Sequence, residues 1–236
     1  MKKKMVLRLL SLAMVASMTG TMLPSNLQIV SAEDAVVAEE KTEETAASED
    51  GINDKWTQEN KVGEDAVCAV EDGWLHLKSG KGNGNNPGTK PAMFVNPNVF
   101  DFTKEGYFEF TMKSNNENTD QNNSDRFGIY LGYNTDTTGL FIGYDNGGWF
   151  WQKYGAPDSP WYRGDRISAP AKGAEVKVRI DWTADKKVTV KVNDKVAFAN
   201  EEFGSIANLG NKIAFKCGSF SQKVSDVFLK DIHYTG

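Results

Sequence analysis

Val176-Lys177-Val178-Arg179-Ile180-Asp181-Trp182, Val188-Thr189-Val190-Lys191-Val192 and Val196-Ala197-Phe198 stand within 23 residues of one another. In each run apolar and polar residues alternate, and β-branched side chains dominate, which is the pattern of a strand with one buried face. Only Thr183-Ala184-Asp185-Lys186-Lys187 and Asn193-Asp194-Lys195 separate them. Connections that short force hairpins, so Ile180 to Phe198 is expected to form an antiparallel meander. The same rhythm continues outward. Trp74–Lys78, Tyr107–Met112, Arg126–Tyr133, Leu140–Tyr144 and Trp149–Trp151 precede the meander, and Ile213–Lys216 and Val227–Ile232 follow it. No stretch of ten or more residues carries a helical period. More than nine short strands with no helix to cover a parallel sheet must pack as two antiparallel sheets, face to face. The expectation is an all-β, two-sheet antiparallel jelly-roll sandwich.

The ends of the 236-residue chain are of a different character. Lys2, Lys3 and Lys4 precede an apolar stretch from Met5 to about Met22, and small residues Val30, Ser31 and Ala32 follow. That is the order of an export signal, with cleavage expected after Ala32. Ser11, Ser17, Thr19, Gly20 and Thr21 make the stretch a poor membrane anchor, so the expected location is outside the cell, secreted or at the cell surface. Residues 33–50 hold eight acids, one lysine and no aromatic ring, a composition that cannot offset chain entropy by burial, and they read as an acidic disordered linker. Residues 51–236 are the expected domain. With +4 on the leader and −7 on the linker, −2 of the chain's −5 falls on the domain. So small a charge excludes a nucleic-acid binder.

Cys68 and Cys217 are the two cysteines. In an exported chain they can pair, but each also lies in an apolar β-like run where a free thiol behaves as a small hydrophobe. Neither spacing suggests a metal site. Ser114 to Asp125 is rich in Asn and Asp, so calcium is the one cofactor left open, against a plain turn.

Seven aromatic residues fall between Tyr144 and Tyr162, a span of 19 residues. Trp149 and Trp151 share one side of their run, as a period of two requires. Trp161 and Tyr162 lie in a stretch bracketed by Pro157, Pro160 and Gly164, beside Arg163, Asp165 and Arg166. Ring faces next to charged hydrogen-bonding groups suit a sugar, whose C–H face stacks while its hydroxyls are satisfied by polar side chains. The expected ligand-binding residues are Trp161 and Tyr162 for stacking and Arg163, Arg166, Asp145 and Asn146 for hydrogen bonds. Trp149 and Trp151 either line the groove floor or support it from beneath. The competing expectation is that these rings are structural and buried.

Three blocks carry a family resemblance: Arg126-Phe127-Gly128-Ile129-Tyr130-Leu131, Phe141-Ile142-Gly143-Tyr144-Asp145-Asn146-Gly147-Gly148-Trp149-Phe150-Trp151, and Trp161-Tyr162-Arg163-Gly164-Asp165-Arg166-Ile167-Ser168-Ala169-Pro170. They resemble a non-catalytic β-sandwich region of the bacterial endo-α-N-acetylgalactosaminidases, large exported enzymes that remove O-linked disaccharides from mucin-type glycoproteins. The resemblance is densest over residues 126–171 and looser from Trp56 to Tyr234. It implies a concanavalin A/laminin G-like sandwich and a role near glycans, with a glycan or glycoprotein as partner. It does not imply glycosidase activity, because those enzymes work on a separate barrel for which this chain has no residues. The residues agree: jelly-roll glycanases set two carboxylates on one strand face, whereas Glu109, Asp181 and Asp231 each stand alone. His76 and His233 lie near opposite ends of the domain, and there is no serine nucleophile elbow. The expected function is therefore a secreted, lectin-like carbohydrate-binding module for mucin-type O-glycans or related host glycans. The alternative is a purely structural sandwich accompanying, or cut from, such a hydrolase.

Overall fold

The computed structural model describes residues 52, 55–82, 90–116, 127–135, 137–145, 147–163, 167–218 and 224–235. Fourteen strands follow in chain order among them: β1 (Thr57–Lys61), β2 (Val67–Glu71), β3 (Trp74–Lys78), β4 (Ala92–Val95), β5 (Gly106–Ser114), β6 (Phe127–Thr135) and β7 (Thr138–Asp145), then β8 (Gly148–Tyr154), β9 (Trp161–Tyr162), β10 (Val176–Trp182), β11 (Lys187–Val192), β12 (Lys195–Glu202), β13 (Lys212–Cys217) and β14 (Asp226–Tyr234). They form two seven-stranded antiparallel sheets. The first has the order β1-β4-β13-β6-β7-β8-β9 and the second β12-β11-β10-β5-β14-β3-β2. The all-β jelly-roll sandwich is thus the observed architecture, and among the described residues no helix is long and apolar enough to cross a membrane.

The meander of β10, β11 and β12 forms as the alternation demands. Val178 faces Val192 and Ile180 faces Val190 across the ladder, all four buried, while Arg179 and Lys191 pair on the solvent side. Its second turn places Asn193 (φ 46°) and Asp194 (φ 61°) both in the left-handed region, which a two-residue hairpin turn matched to strand twist requires and which Asn and Asp tolerate. Three strands lie outside the sequence expectation. β1 is polar and largely exposed at a sheet edge, β4 is only four residues long, and β9 only two.

Between the sheets the core centres on Phe215 of β13. Its ring lies 5.0 Å from Phe110, 5.8 Å from Phe108 and 5.9 Å from Phe127, with Trp56 stacked at 5.0 Å. These are offset and edge contacts of the kind that add to simple area burial. Cys217 is fully buried in this layer and Cys68 is half-buried, both as free thiols. Burial pushes the Cys68 thiol up to about 11, against a backbone hydrogen bond at Met93 and the charge of Lys61. The Cys217 thiol is pushed well above its ordinary value, first by burial and next by Cys68 itself.

The first sheet is apolar on both faces. Besides the inter-sheet core it carries a second cluster of Met93, Val95, Tyr130, Tyr133, Phe141, Phe150 and Ala214, with Tyr154 packed against it. Phe141 lies across two neighbouring glycines of β6 and β7: a Cβ on Gly143 would sit 2.8 Å from the Phe141 ring and 2.3 Å from the Phe127 carbonyl oxygen. Only a residue without a side chain leaves room for the ring to lie flat on the sheet there.

Candidate functional site

β9 closes one edge of the first sheet. Its two residues pair with β8, Tyr162 opposite Trp151 and Trp161 opposite Gln152. Directly opposed residues share a face and consecutive ones alternate. Tyr162 therefore lies on the side of Trp151, toward the sandwich interior, with their ring centroids 6.1 Å apart. Trp161 lies on the outer side, where Phe150 belongs to the second cluster. Trp161 is 59% exposed and Tyr162 53%. Both rings are open to solvent, as a stacking surface requires, but they look in opposite directions. A single sugar ring cannot stack on both, so the two residues expected to stack serve opposite sides of the sheet edge, as strand alternation dictates.

Arg163 follows β9 and is clamped. Nη1 donates to Asp145 Oδ1 at 2.5 Å and to the Gly148 carbonyl at 3.0 Å, and Nη2 donates to Asp145 Oδ2 at 2.9 Å. The guanidinium carbon lies 5.5 Å from the Phe150 ring centroid and 5.7 Å from that of Trp161. Fork geometry to a carboxylate combined with two aromatic faces fixes the plane of the group. Of its five donors, Nε–H and one Nη2–H have no partner among the described residues.

Asp145, the last residue of β7, is 8% exposed. Its Oδ1 also accepts the Gly147 N–H at 2.8 Å, which holds the β7–β8 turn. The expectation that Asp145 would offer free oxygens to a ligand is thus corrected: those oxygens are engaged by Arg163 and Gly147, and the residue positions Arg163 instead. Trp149 and Trp151 belong to the inter-sheet core, at 1% and 8% exposure. Of the two roles expected for them, support from beneath is the one this placement allows. Asn146 and Arg166 lie outside the described residues, as does the calcium-candidate loop from residue 117 to 125. Its described part is committed internally: the Asn116 side chain donates to the Val224 carbonyl at 2.7 Å and accepts the Asp226 N–H at 2.9 Å. Among the described residues no group of three or more His, Cys, Asp or Glu could hold a metal ion.

The outer-face cluster went unnoticed in the site reading, although the sequence carries its signal. A sandwich strand needs one apolar face, yet Phe127–Tyr133 and Leu140–Tyr144 are apolar or glycine at every position. A strand apolar on both sides within a two-sheet fold has a second surface to cover.

The second sheet carries a different constellation. His76 is buried between two carboxylates, with Nδ1 2.9 Å from Glu71 Oε2 and Nε2 2.8 Å from Asp226 Oδ1, and its ring stacks on Phe228 at 4.1 Å. Burial acts to lower its pKa, but the two carboxylates outweigh it and hold the imidazole above its ordinary value. The group is a structural link across β2, β3 and β14. With both nitrogens engaged, it is not placed to move protons on a substrate.

Comparison with known proteins places this geometry. Among solved structures, a sialidase superposes with a TM-score of 0.54 at 15% identity, covering 77% of this chain and 17% of its own. The metal-free carbohydrate recognition domain of Emp46p superposes with a TM-score of 0.52 at 15% identity, covering 76% of this chain and 87% of that one. At such identities the likeness is one of fold. The chain spans under a fifth of the sialidase's length, 17%. The family description of the Endo-alpha-N-acetylgalactosaminidase N-terminal domain matches residues 56–232. What is matched is an N-terminal domain rather than the catalytic part, so the chain is read as a module that is not itself the enzyme. A match running from the first core tryptophan to the last strand assigns the whole sandwich: this chain belongs to the Endo-alpha-N-acetylgalactosaminidase N-terminal domain family.

Proposed function

We propose that this chain is a secreted, non-catalytic glycan-binding domain that docks mucin-type O-glycans or related host glycans on the outer side of β9. The observation that carries the reading is the Trp161 ring, 59% exposed and flanked by a guanidinium whose plane is already fixed. Holding a donor in place before binding lowers the ordering cost of association. A sugar stacked on Trp161 by its C–H face would meet the two uncommitted donors of Arg163 at the ring's edge. Tyr162, on the opposite side, is a separate contact that serves a longer chain wrapping the sheet edge.

The family supports a place near glycans, and the basic, apolar leader supports export. A structural role is favoured by one observation of its own: Arg163 ties the β7–β8 turn to β9 regardless of ligand. A glycan array decides between them. The chain from Glu33 onward is expected to capture mucin-type O-glycans, with Trp161→Ala losing at least tenfold in affinity and Tyr162→Ala losing less. Capture of none of them by the unmutated chain would leave the structural role.

A further inference from the structure

A second concave feature lies away from the outer side of β9, at the mouth between the sheets. It is a cleft of about 440 Å³, within the size range of small-ligand sites, roughly 300–1,000 Å³. Trp149 of the first sheet forms one wall, Val176 and Val192 of the second form another, and Ala169, Ala171 and Ala174 line the connection between β9 and β10. That connection is docked, not draped. The Trp149 N–H donates to the Ile167 carbonyl at 2.9 Å. Gly148 has φ +106°, and a Cβ there would lie 2.4 Å from the Ile167 oxygen. The wall is therefore held close to the sheet by backbone contacts that a larger residue at 148 would break.

The polar groups of the cleft are mostly donors. Asn193 accepts the Lys177 N–H through Oδ1 at 2.9 Å, which fixes its amide and leaves the NH₂ uncommitted among the described residues. Lys195 is exposed and pairs with no carboxylate among the described residues. Glu175, the acid of the lining, is already neutralised by Lys230 at 3.1 Å. The Trp149 indole N–H is buried with no hydrogen-bond partner among the described residues, as are those of Trp151 and Trp182, so it reports on the cleft wall and is not itself a contact for an occupant. A cleft with small apolar walls, an exposed cation and an amide donor uncommitted among the described residues calls for an occupant with an apolar face and an anionic acceptor.

We infer that this cleft is a second binding site, separate from Trp161, for a saccharide ring that carries a carboxylate. The alanine and valine walls receive the C–H face of the ring. The carboxylate meets Lys195 and the Asn193 amide, and Ser168 at the rim serves a hydroxyl.

The test is a titration of the ¹⁵N-labelled chain with glucuronic acid and N-acetylneuraminic acid, following the Trp149 indole N–H signal, identified by its loss in Trp149→Phe. Glucose and acetate are the controls. The expected result is a saturable shift with at least one of the acids, at least tenfold weaker for glucose and for acetate. Ala174→Trp, which fills the cleft from an exposed position, should abolish the shift. Lys195→Glu should weaken binding at least tenfold and remove its salt dependence, while Trp161→Ala should leave it unchanged. The inference is overturned if neither acid binds, if glucose or acetate binds as well as the acids, or if Trp161→Ala is the variant that loses the signal. It is also overturned if Ala174→Trp keeps its unfolding midpoint and binds normally. If Ala174→Trp does not fold, Lys195→Glu decides alone.

Discussion

Removing the Arg163 side chain takes away both bonds to Asp145, the bond to the Gly148 carbonyl and the packing of the guanidinium between Phe150 and Trp161. Asp145 is then a carboxylate at 8% exposure with only the Gly147 N–H to satisfy it. Stripping one partner from a fully buried ion pair costs about 3–5 kcal/mol. The Arg163 side chain is 25% exposed, so water can recover part of that, and a loss of about 2–3 kcal/mol is expected for Arg163→Ala. For a domain of this size each kcal/mol lowers the melting temperature by about 2–4 °C, which puts the drop at roughly 4–12 °C. Asp145→Ala should cost a similar amount. The double variant should fall well short of the sum, with a coupling energy of about 1–2 kcal/mol in urea unfolding followed by tryptophan fluorescence. A coupling below about 0.5 kcal/mol would show that the pair behaves as an ordinary surface salt bridge. Arg163 would then not be the fixed donor on which the binding proposal depends.

Three further outcomes follow from other parts of the fold. The His76 imidazole is held above its ordinary value in the folded state by Asp226 and Glu71, so its contribution to stability is full below about pH 6.5 and is lost as pH rises through the folded-state value. Urea midpoints should therefore fall between pH 6 and pH 9, and His76→Gln should flatten that slope; an unchanged slope in the variant would mean other groups set it. Gly143→Ala places a methyl group 2.3 Å from the Phe127 carbonyl and 2.8 Å from the Phe141 ring, and overpacking of this kind costs about 1–3 kcal/mol. A neutral outcome by thermal unfolding would contradict the close approach of β6 and β7. Finally, the native protein at pH 8 should leave Cys217 unmodified by iodoacetamide and Cys68 slow to react, since both thiols are held protonated, whereas the denatured chain should take up two labels. A native chain without titratable thiols even after unfolding would instead reveal a disulfide.

The architecture was legible because alternation is a local property, and the runs 176–182 and 74–78 coincide with β10 and β3 to the residue. What escaped was whatever lacks local alternation. β1 is polar at a sheet edge, β4 is buried along its whole length between Pro91 and Pro97, and β9 is too short to show a period. The site was legible in composition but not in arrangement. Prolines and glycines around Trp161 pointed to an open segment, and its rings are open. That Arg163 would close on Asp145, 18 residues away, depends on β7, β8 and β9 lying side by side, a fact of sheet register that no spacing rule contains. That Trp161 and Tyr162 diverge follows from their pairing with β8, because two residues are too few to show an alternation in the sequence.

The central claim is that Trp161 is a landing surface for carbohydrate. Its most direct test is equilibrium binding of an O-glycosylated mucin peptide, against the same peptide without sugar, to the chain and to Trp161→Ala. The expected result is saturable binding of the glycopeptide alone, weakened at least tenfold by the substitution while the unfolding midpoint stays within about 1 kcal/mol of its original stability. Equal binding of the glycosylated and bare peptides, or a Trp161→Ala variant that binds as tightly as the unmutated chain, would contradict it.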